Sequence, residues 1–363
     1  MITFERTESE KLTGKPEVFN NISGFFHYIH IQKEERMGRI YESIAELIGN
    51  TPLLRLNGYV KKKQLPADIL GKIEYYNPNQ SIKDRIAYNM IETAERDGSL
   101  KPGGTIVEAT SGNTGIGLAA FAAIKGYKSK IYVQDNVSIE RFKVMKAFGT
   151  EVANMSDIPE VKKALDENHN DYVAGYAAFY SELSAGDDNI FIVNQDANPA
   201  NPDIHYKTTG PEIWNDTEGK VDIVVAAVGT GGTVTGVGKF LKEKKPSVQV
   251  IAVQPGVGSI PSEENPHPEE IAGVHPFEGI PKEFVPSNLD KAYYDECFPV
   301  ETAEAYEAAR EIAKTDGILI GASSGAILHA ATQIAQRKEN KGKTIVAIFP
   351  DTGLRYLSTN LYQ

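Results

Sequence analysis

The stretch VDIVVAAVGTGGTVTGVGKFLKEKK, residues 221–245, determines the fold that we predict. Its first eight residues, 221–228, are almost continuously apolar, which is typical of a short strand buried on both faces. A glycine-rich loop follows, and residues 233–245 have the mixed polar and apolar pattern of a helix. A strand that leads through a short loop into a helix is the repeating unit of α/β proteins.

The same unit recurs along the chain. Predicted strands are LGKIEYY (70–76), TIVEA (105–109), KIYVQ (130–134), VQVIAVQ (248–254), ILIG (318–321) and TIVAIFP (344–350). Predicted helices are residues 82–98, 113–127, 138–149, 303–317 and 324–338. Apolar strands that alternate with helices predict parallel sheets covered on both faces. We therefore assign the chain to the α/β class.

Composition excludes several kinds of partner. The 363 residues contain 38 Lys and Arg against 49 Asp and Glu, a formal net charge of −11. This balance argues against nucleic acid and anionic membranes as partners. No apolar run is long enough to span a bilayer. The single cysteine, Cys297, cannot form an intrachain disulfide, which fits a cytoplasmic location, and we interpret it as structural.

Residues 1–36 differ from the rest of the chain. They lack a sustained period and a signal-peptide core. A clearer beginning is Met37, in MGRIYESIAELIGNTPLLRL, and KEER just before it is what a translated ribosome-binding site would encode. We expect Met37 to be the true start and residues 1–36 to be an artefact of a wrongly assigned start site or a loose tail. The folded core would then be 37–363.

A lysine stands where a turn-rich loop meets a helix, in NPNQSIKDR (77–85). Lys83 lies in the first helical turn, where the helix dipole disfavours a positive charge. It could be a surface lysine paired with Asp84. Alternatively, burial or nearby positive potential could lower its pKa and make it a nucleophile.

Two strand-to-helix loops have residues suited to anions. In VGTGGTVTG (228–236), glycines and threonines suit a phosphate, but the spacing fits neither a dinucleotide fingerprint nor a Walker loop. In EATSGNTGIG (108–117), hydroxyls and an amide at a helix start suit a carboxylate. A tight turn and a simple helix cap are the respective alternatives.

A third loop, GASSG (321–325), matches the nucleophile elbow of serine hydrolases. That fold needs an acid and then a histidine downstream, and only His329 follows, four residues after the loop. The hydrolase interpretation is therefore rejected. A nucleophilic lysine, a phosphate loop, a carboxylate loop and a loop hydroxyl instead predict pyridoxal phosphate as cofactor.

Five motifs together resemble the cysteine synthase and cystathionine β-synthase family of fold-type II pyridoxal phosphate enzymes. They are NPNQSIKDR, TSGNTG, NPANPDIHYKTTGPEIW, VGTGGTVTGVG and GASSGA, and the resemblance covers nearly all of the chain after Met37. It implies two three-layer α/β domains with mostly parallel sheets. A smaller mobile subdomain would comprise about 84–190, and a larger one 37–83 plus 191–363.

The resemblance also implies roles for particular residues. Lys83 would hold the cofactor as a Schiff base and be the catalytic residue. The cofactor's ring hydroxyl would bind Asn113, its ring nitrogen Ser323, and its phosphate Gly229, Thr230, Gly231, Gly232 and Thr233. The substrate carboxylate would bind Thr110, Ser111, Gly112 and Thr114, helped by Gln195. No metal site is expected.

The implied reaction is β-replacement on O-acetyl-L-serine, which forms L-cysteine from sulfide through an aminoacrylate. Two segments depart from the pattern of O-acetylserine sulfhydrylases. GIPKEF (279–284) replaces a glycine-rich segment, and its Glu283 resembles an acidic residue of cystathionine β-synthases. QDNVS (134–138) replaces PETMS at the site entrance. An enzyme that uses L-serine or L-cysteine, with Glu283 selecting the substrate, therefore stays an alternative, as does a solvated Glu283.

Partners are implied by the resemblance alone. They are a small amino-acid substrate with sulfide or a thiol, a second copy in a homodimer, and the C-terminal tail of serine acetyltransferase. That tail would also suit an inactive, regulatory binding protein with this fold, a more remote alternative because Lys83, Asn113 and Ser323 are all present.

Overall fold

The computed structural model describes residues 40–110, 112–133, 139–167, 172–183 and 189–363. The predictions for residues 1–36, Ser111 and segment 134–138 lie outside these ranges. Residues 43–363 form one compact unit. No helix in the described ranges is long and apolar enough to cross a membrane.

The described residues form ten strands in two sheets. These are β1 (Leu53–Arg55), β2 (Asp68–Ile73), β3 (Thr105–Ala109), β4 (Lys128–Val133), β5 (Glu151–Asn154), β6 (Ile190–Ile192), β7 (Ile223–Ala227), β8 (Gln249–Pro255), β9 (Glu296–Val300) and β10 (Thr344–Phe349). The larger sheet has the order β1-β2-β10-β7-β8-β9 and the smaller sheet β5-β4-β3-β6. Only β1 pairs antiparallel, so the prediction of mostly parallel sheets is confirmed.

Eleven α-helices lie in the described ranges. These are α1 (Asn57–Lys63), α2 (Lys83–Asp97), α3 (Asn113–Lys125), α4 (Ile139–Ala147), α5 (Pro159–Glu167), α6 (Tyr172–Leu183), α7 (Ala200–Ile204), α8 (Gly210–Asp216), α9 (Gly232–Lys244), α10 (Thr302–Thr315) and α11 (Ala322–Ala335). A π-helical turn, His205–Thr209, joins α7 to α8. Parallel neighbours need such crossover helices to return the chain to the start of the next strand.

Strand β7 shows how the larger sheet is covered on both faces. Ile223 and Val225 belong to a buried cluster that includes apolar residues of α10 and α11. Val224 and Ala226, which point to the opposite face, cluster with apolar residues of α9. Each fully buried aliphatic side chain contributes about 1.5–3 kcal/mol relative to exposure, so a strand apolar on both faces requires helices on both sides.

The smaller sheet repeats the arrangement. Ile106 of β3 clusters with buried residues of α2 and α3. Its neighbours Val107 and Ala109 cluster with residues of α5 and α6 on the other side. Both sheets therefore lie between helix layers, and the predicted α/β class with two three-layer parts is confirmed.

Some predicted elements differ from the structure. Strand β2 ends at Ile73, and the two tyrosines of LGKIEYY lie in a 3-10 turn, Glu74–Tyr76. The predicted strand ILIG forms only an isolated bridge between Ile320 and Thr352. The hydroxyl of Tyr362 accepts from the amide of Ile320 at 2.9 Å and donates to its carbonyl at 2.7 Å. A side chain thus replaces the neighbouring strand that a ladder would need.

A buried ion network surrounds the guanidinium of Arg85, two residues after Lys83. Its Nε donates to Glu74 at 2.7 Å, and its terminal nitrogens donate to both oxygens of Glu212 at 2.7 Å. Lys72, fully buried, pairs with Glu212 at 2.8 Å. Burial would lower the pKa of Arg85, but Glu74 and Glu212 outweigh burial and raise it. The network joins β2, α2 and α8.

We expect Glu74→Ala to lower the free energy of unfolding by about 3–5 kcal/mol, because it leaves a buried guanidinium partly unpaired. Urea unfolding of the cofactor-free protein measures this change. Glu218→Ala is the matched control, since Glu218 pairs with Lys220 on the surface and exposed pairs contribute little. Equal effects of the two substitutions would contradict the importance of the buried network.

Candidate active site

Lys83 begins α2 after a tightly constrained loop. Gln80 has a φ of 60° and its amide donates to the carbonyl of Asn77 at 2.7 Å, which closes the turn. The amide of Ile82 donates to the carbonyl of Pro350 at 2.8 Å and ties this loop to the end of β10. Burial lowers the pKa of Lys83, opposed by the carboxylates of Asp196 and Asp351. A surface lysine with only Asp84 as partner does not fit these observations.

The predicted carboxylate loop lies between β3 and α3. Thr110 and Thr114 are buried, and the amide of Gly112 donates to the hydroxyl of Thr110 at 3.3 Å. The hydroxyl of Thr114 donates to Oε1 of Gln195 at 2.5 Å. The structure therefore brings Gln195, which follows β6, to the start of α3.

The backbone of Gln195 is fixed from several directions. Its carbonyl accepts from the side-chain amides of Asn201 and Asn288, both at 2.8 Å. Its amide donates to Oε2 of Glu108 at 3.0 Å. Glu108 is fully buried at the end of β3, and burial raises its pKa to about 8 despite its hydrogen bonds. The side chain of Gln195 is thus held beside the carboxylate loop.

The predicted phosphate loop follows β7. Gly231 has a φ of 80°, and a methyl group there would lie 2.6 Å from Cβ of Leu289. A methyl group at Gly229 would lie 2.8 Å from the carbonyl of Gly273. At Gly232 it would overlap with Oδ1 of Asn201. Only glycine fits at these three positions, so no side chain covers the backbone amides of the loop. The first amides of α9 also lack intrahelical acceptors.

Both threonine hydroxyls of this loop have partners. Thr230 accepts from the side-chain amide of Asn201 at 2.9 Å. The hydroxyl of Thr233 lies 3.2 Å from Nε2 of His205. Nδ1 of His205 lies 2.9 Å from the hydroxyl of Thr209. Burial, together with the charges of Arg85 and Lys83, lowers the pKa of His205 well below its usual value, so the ring is neutral.

Ser323 lies in the first turn of α11 and is buried, 6% exposed. The adjacent Ser324 is fully buried, and its hydroxyl has no hydrogen-bond partner among the described residues. The amide of Gly321 donates to the carbonyl of Asp351 at 3.1 Å, which holds the turn against the end of β10. The structure thus brings GASSG to the same sheet edge as Lys83.

The loop after β10, residues 350–356, is a part of the site that sequence reasoning missed. Oδ2 of Asp351 accepts from the side-chain amide of Asn113 at 2.8 Å. Arg355 donates to Oδ1 of Asn113 and to the carbonyl of Asn79. The sequence offered one signal for this loop, since Asp351 directly follows the predicted strand TIVAIFP. The rule that ligands bind at the carboxyl ends of parallel strands applies to it as it does to the other loops.

Asp196 and His275 are close enough to Lys83 for their charges to influence one another, and we call these residues, with Asp351, the Lys83 cluster. Burial raises the pKa of Asp196, opposed by the charges of His275 and Lys83. Burial lowers the pKa of His275, opposed chiefly by Asp196. The amide of His275 donates to the carbonyl of Val228 at 2.8 Å, which places it beside the phosphate loop. Sequence reasoning assigned no role to either residue.

Glu283 does not belong to the Lys83 cluster. It lies in a 3-10 turn, Lys282–Phe284, and is exposed. Its predicted role in substrate selection stays a prediction. Among the described residues, no group of three or more His, Cys, Asp or Glu side chains is arranged to hold a metal ion.

The arrangement fits an aldehyde cofactor that carries a phosphate. Lys83 supplies an amine with a lowered pKa, and the loop at 229–233 supplies backbone amides in a turn so tightly packed that its glycines admit no side chain. Asn113 and Ser323 supply neutral polar groups beside them. These features define a pyridoxal-phosphate-dependent enzyme.

Comparison with known proteins assigns the family. Residues 44–351 match the family described as pyridoxal-phosphate dependent enzyme, and the chain belongs to this family. A cysteine synthase of Staphylococcus aureus is 42% identical over 328 residues, 88% of this chain and 97% of that protein. The resemblance to the cysteine synthase and cystathionine β-synthase family is thereby confirmed, as is pyridoxal phosphate as cofactor.

Solved structures agree. The O-acetylserine sulfhydrylase isoform 3 of Entamoeba histolytica has a TM-score of 0.76 and 41% identity, covering 90% of this chain and 92% of that one. A hydrogen sulfide-producing enzyme of Fusobacterium nucleatum has a TM-score of 0.75 and 36% identity, covering 88% of this chain and all of its own. These likenesses confirm the fold-type II class.

We expect Gly232→Ala to weaken pyridoxal phosphate binding about tenfold or more, because the added methyl group overlaps with Asn201 and displaces the loop amides. Titration of cofactor-free protein, followed by visible absorbance, measures the affinity. Lys239→Ala, at an exposed position of α9, is the control. Unchanged affinity in Gly232→Ala would show that the phosphate binds elsewhere.

We expect Asp196→Asn to lower the pKa of Lys83 further, because it removes a carboxylate that stabilises the ammonium form. The rate at which cofactor-free protein captures pyridoxal phosphate, measured against pH, should then rise at lower pH than in the wild type. Asp203→Asn is the matched control, since Asp203 pairs with Lys207 on the surface. A shift to higher pH would contradict the assignment.

Proposed function

We propose that this protein forms L-cysteine and acetate from O-acetyl-L-serine and sulfide, with pyridoxal phosphate as cofactor. The observation that carries the proposal is the partly buried amine of Lys83, with its lowered pKa, where the anion-suited or hydroxyl-bearing loops at 110–114, 229–233 and 321–325 converge. Similarity to a cysteine synthase and to an O-acetylserine sulfhydrylase over about nine tenths of the chain supports the substrate.

The cofactor would be held by residues already described. Lys83 would bind its aldehyde carbon, Asn113 its ring hydroxyl, Ser323 its ring nitrogen, and Gly229–Thr233 its phosphate. When bound, pyridoxal phosphate supplies an electron sink for the charge left at Cα when the α-proton is removed.

Lys83 would act as the proton carrier. Burial favours its neutral amine, which can accept the α-proton of the substrate at Nζ. The carboxylates of Asp196 and Asp351 limit this effect, so the amine can carry the proton before passing it on. Two opposing influences of this kind set a pKa between that of a free lysine and that of an isolated buried one.

The loop at 110–114 would bind the substrate carboxylate. Thr110, Ser111, Gly112 and Thr114 offer hydroxyls and amides at the start of α3, where the helix dipole favours an anion. Gln195 would orient this loop through its hydrogen bond from Thr114. Binding of the carboxylate would fix the Cα–H bond relative to Lys83 and exclude water from the reacting carbons.

Ser323 would favour elimination over transamination. A neutral hydroxyl, unlike a carboxylate, cannot keep a ring nitrogen protonated, because it does not carry the compensating charge. A less positively charged ring would withdraw less electron density from Cα. Departure of acetate from Cβ, followed by addition of sulfide there, would then compete well with transfer of the proton to the aldehyde-derived carbon of the cofactor, which transamination requires.

The test is a titration of purified enzyme with O-acetyl-L-serine, L-serine and L-cysteine in separate experiments. We expect O-acetyl-L-serine to change the visible absorption band and release acetate, and sulfide to restore the band while L-cysteine forms. Lys83→Ala should lower turnover about a thousandfold or more, because it removes both the anchoring amine and the base. If only L-serine or L-cysteine changes the band, the alternative reaction takes the place of this one.

Further parts of the proposal follow from the resemblance. We propose a homodimer in the cytoplasm, an additional binding site for the C-terminal tail of serine acetyltransferase, and movement of residues 84–190 relative to 37–83 plus 191–363. The four-stranded sheet, which falls within 105–192, supports that division. Light scattering of the purified protein measures the oligomeric state.

A further inference from the structure

Asn113 is held between two charged side chains of opposite sign. Its Nδ2 donates to Oδ2 of Asp351 at 2.8 Å, and its Oδ1 accepts from Arg355. A guanidinium can only donate hydrogen bonds and a carboxylate can only accept them. Rotating the amide by half a turn would place its oxygen against the carboxylate and its NH₂ group against the guanidinium. The pair therefore permits one orientation of the amide.

This orientation leaves one N–H of Asn113 without a charged partner. The amide has two N–H groups, and Asp351 takes one of them. A ring hydroxyl that has lost its proton is an acceptor, and it needs a donor of this kind. With the amide reversed, an oxygen lone pair would face the anion instead.

Asp351 is itself fixed in place. Its carboxylate also accepts from the hydroxyl of Tyr356 at 2.8 Å, and it is 1% exposed. A methyl group at Gly321 would overlap with its Oδ1, so the α11 turn packs directly against it. Arg355 is anchored in turn by the carbonyl of Asn79, in the loop that carries Lys83. Both members of the pair are thus held by neighbouring loops.

We propose that Asp351 and Arg355 are positioning residues, which fix the amide of Asn113 with its free N–H directed at the ring hydroxyl of the cofactor. The inference rests on the proposed function because it takes Asn113 as the partner of that hydroxyl. It deepens that function by assigning the loop at 350–356 to cofactor recognition.

A competing explanation is that Asp351 acts on Lys83 directly, since its charge opposes the effect of burial there. The two explanations differ in whether the effect of Asp351 depends on Asn113. A double-mutant cycle with Asn113→Ala and Asp351→Ala separates them, because coupled residues give non-additive changes.

The experiment titrates cofactor-free wild type and the three variants with pyridoxal phosphate and records the visible spectrum against pH. We expect each single substitution to weaken binding about tenfold, as loss of one hydrogen bond to a charged group would. We expect the double variant to bind no more weakly than Asn113→Ala. The fraction of the bound cofactor that absorbs in the long-wavelength band should fall by the same amount in all three variants.

Independent effects would overturn the inference. If the double variant binds about a hundredfold more weakly than wild type, or if Asp351→Ala changes the spectrum equally when Asn113 is absent, Asp351 acts without Asn113. Asp351→Asn keeps an accepting oxygen, so it should retain more affinity than Asp351→Ala; equal losses would also contradict the positioning role.

Two controls complete the design. Thermal unfolding of the cofactor-free variants reports any loss of fold, and Tyr356→Phe, which removes a donor to Asp351 while preserving shape, is expected to weaken binding less than Asp351→Ala. Formation of L-cysteine by wild type tests the proposed function separately. If the wild type makes L-cysteine but the effects of the two single substitutions on cofactor binding are additive, only the positioning role is rejected and the proposed function stands.

Discussion

The buried contacts of Arg85 connect the two sheets of this protein. Helix α2 packs through Ile86 and Met90 in the core of the smaller sheet, yet Arg85 on the same helix pairs with Glu74 at the end of β2 and Glu212 of α8. A buried guanidinium is costly unless it is fully paired, so the first turn of α2 stays anchored to the larger sheet even if the rest of 84–190 moves as proposed. Lys83 lies in that first turn and shares this constraint.

The second constraint is that the carboxyl ends of strands from both sheets meet at the site. Strand β3 of the smaller sheet and strands β7 and β10 of the larger sheet are followed by the loops that hold Asn113, the 229–233 glycines and Asp351. Asn113 bonds Asp351 directly, and the 229–233 loop is linked through Asn201 to Gln195. The resulting enclosure removes water from Lys83, which favours the neutral amine, while Asp196 and Asp351 restrain that preference. The reactivity of the amine is thus set jointly by burial and by two carboxylates distant in the chain.

The local pattern of apolar residues predicted most of the elements. A strand whose side chains are apolar on both faces has few alternatives to a parallel sheet that helices cover on both sides. TIVEA became β3 with the same bounds. ILIG was predicted wrongly as a strand, since its backbone groups are satisfied by Tyr362, 42 residues later in the chain. Strand β9 was missed because ECFPV includes a glutamate and a proline, and it pairs at the sheet edge with β8.

The sequence by itself determined the α/β class and predicted the cofactor and the loops proposed to bind it, since glycines, a loop lysine and hydroxyls at helix starts have the same chemistry in any fold. Only the tertiary structure decided the partners of those groups. Asp351 and Arg355 lie 238 and 242 positions from Asn113, and Asp196 lies far from Lys83, so no spacing in the sequence predicts these contacts. Burial and the charges of neighbouring groups fix the pKa of a side chain, and both exist only once the loops of the two sheets have been brought together.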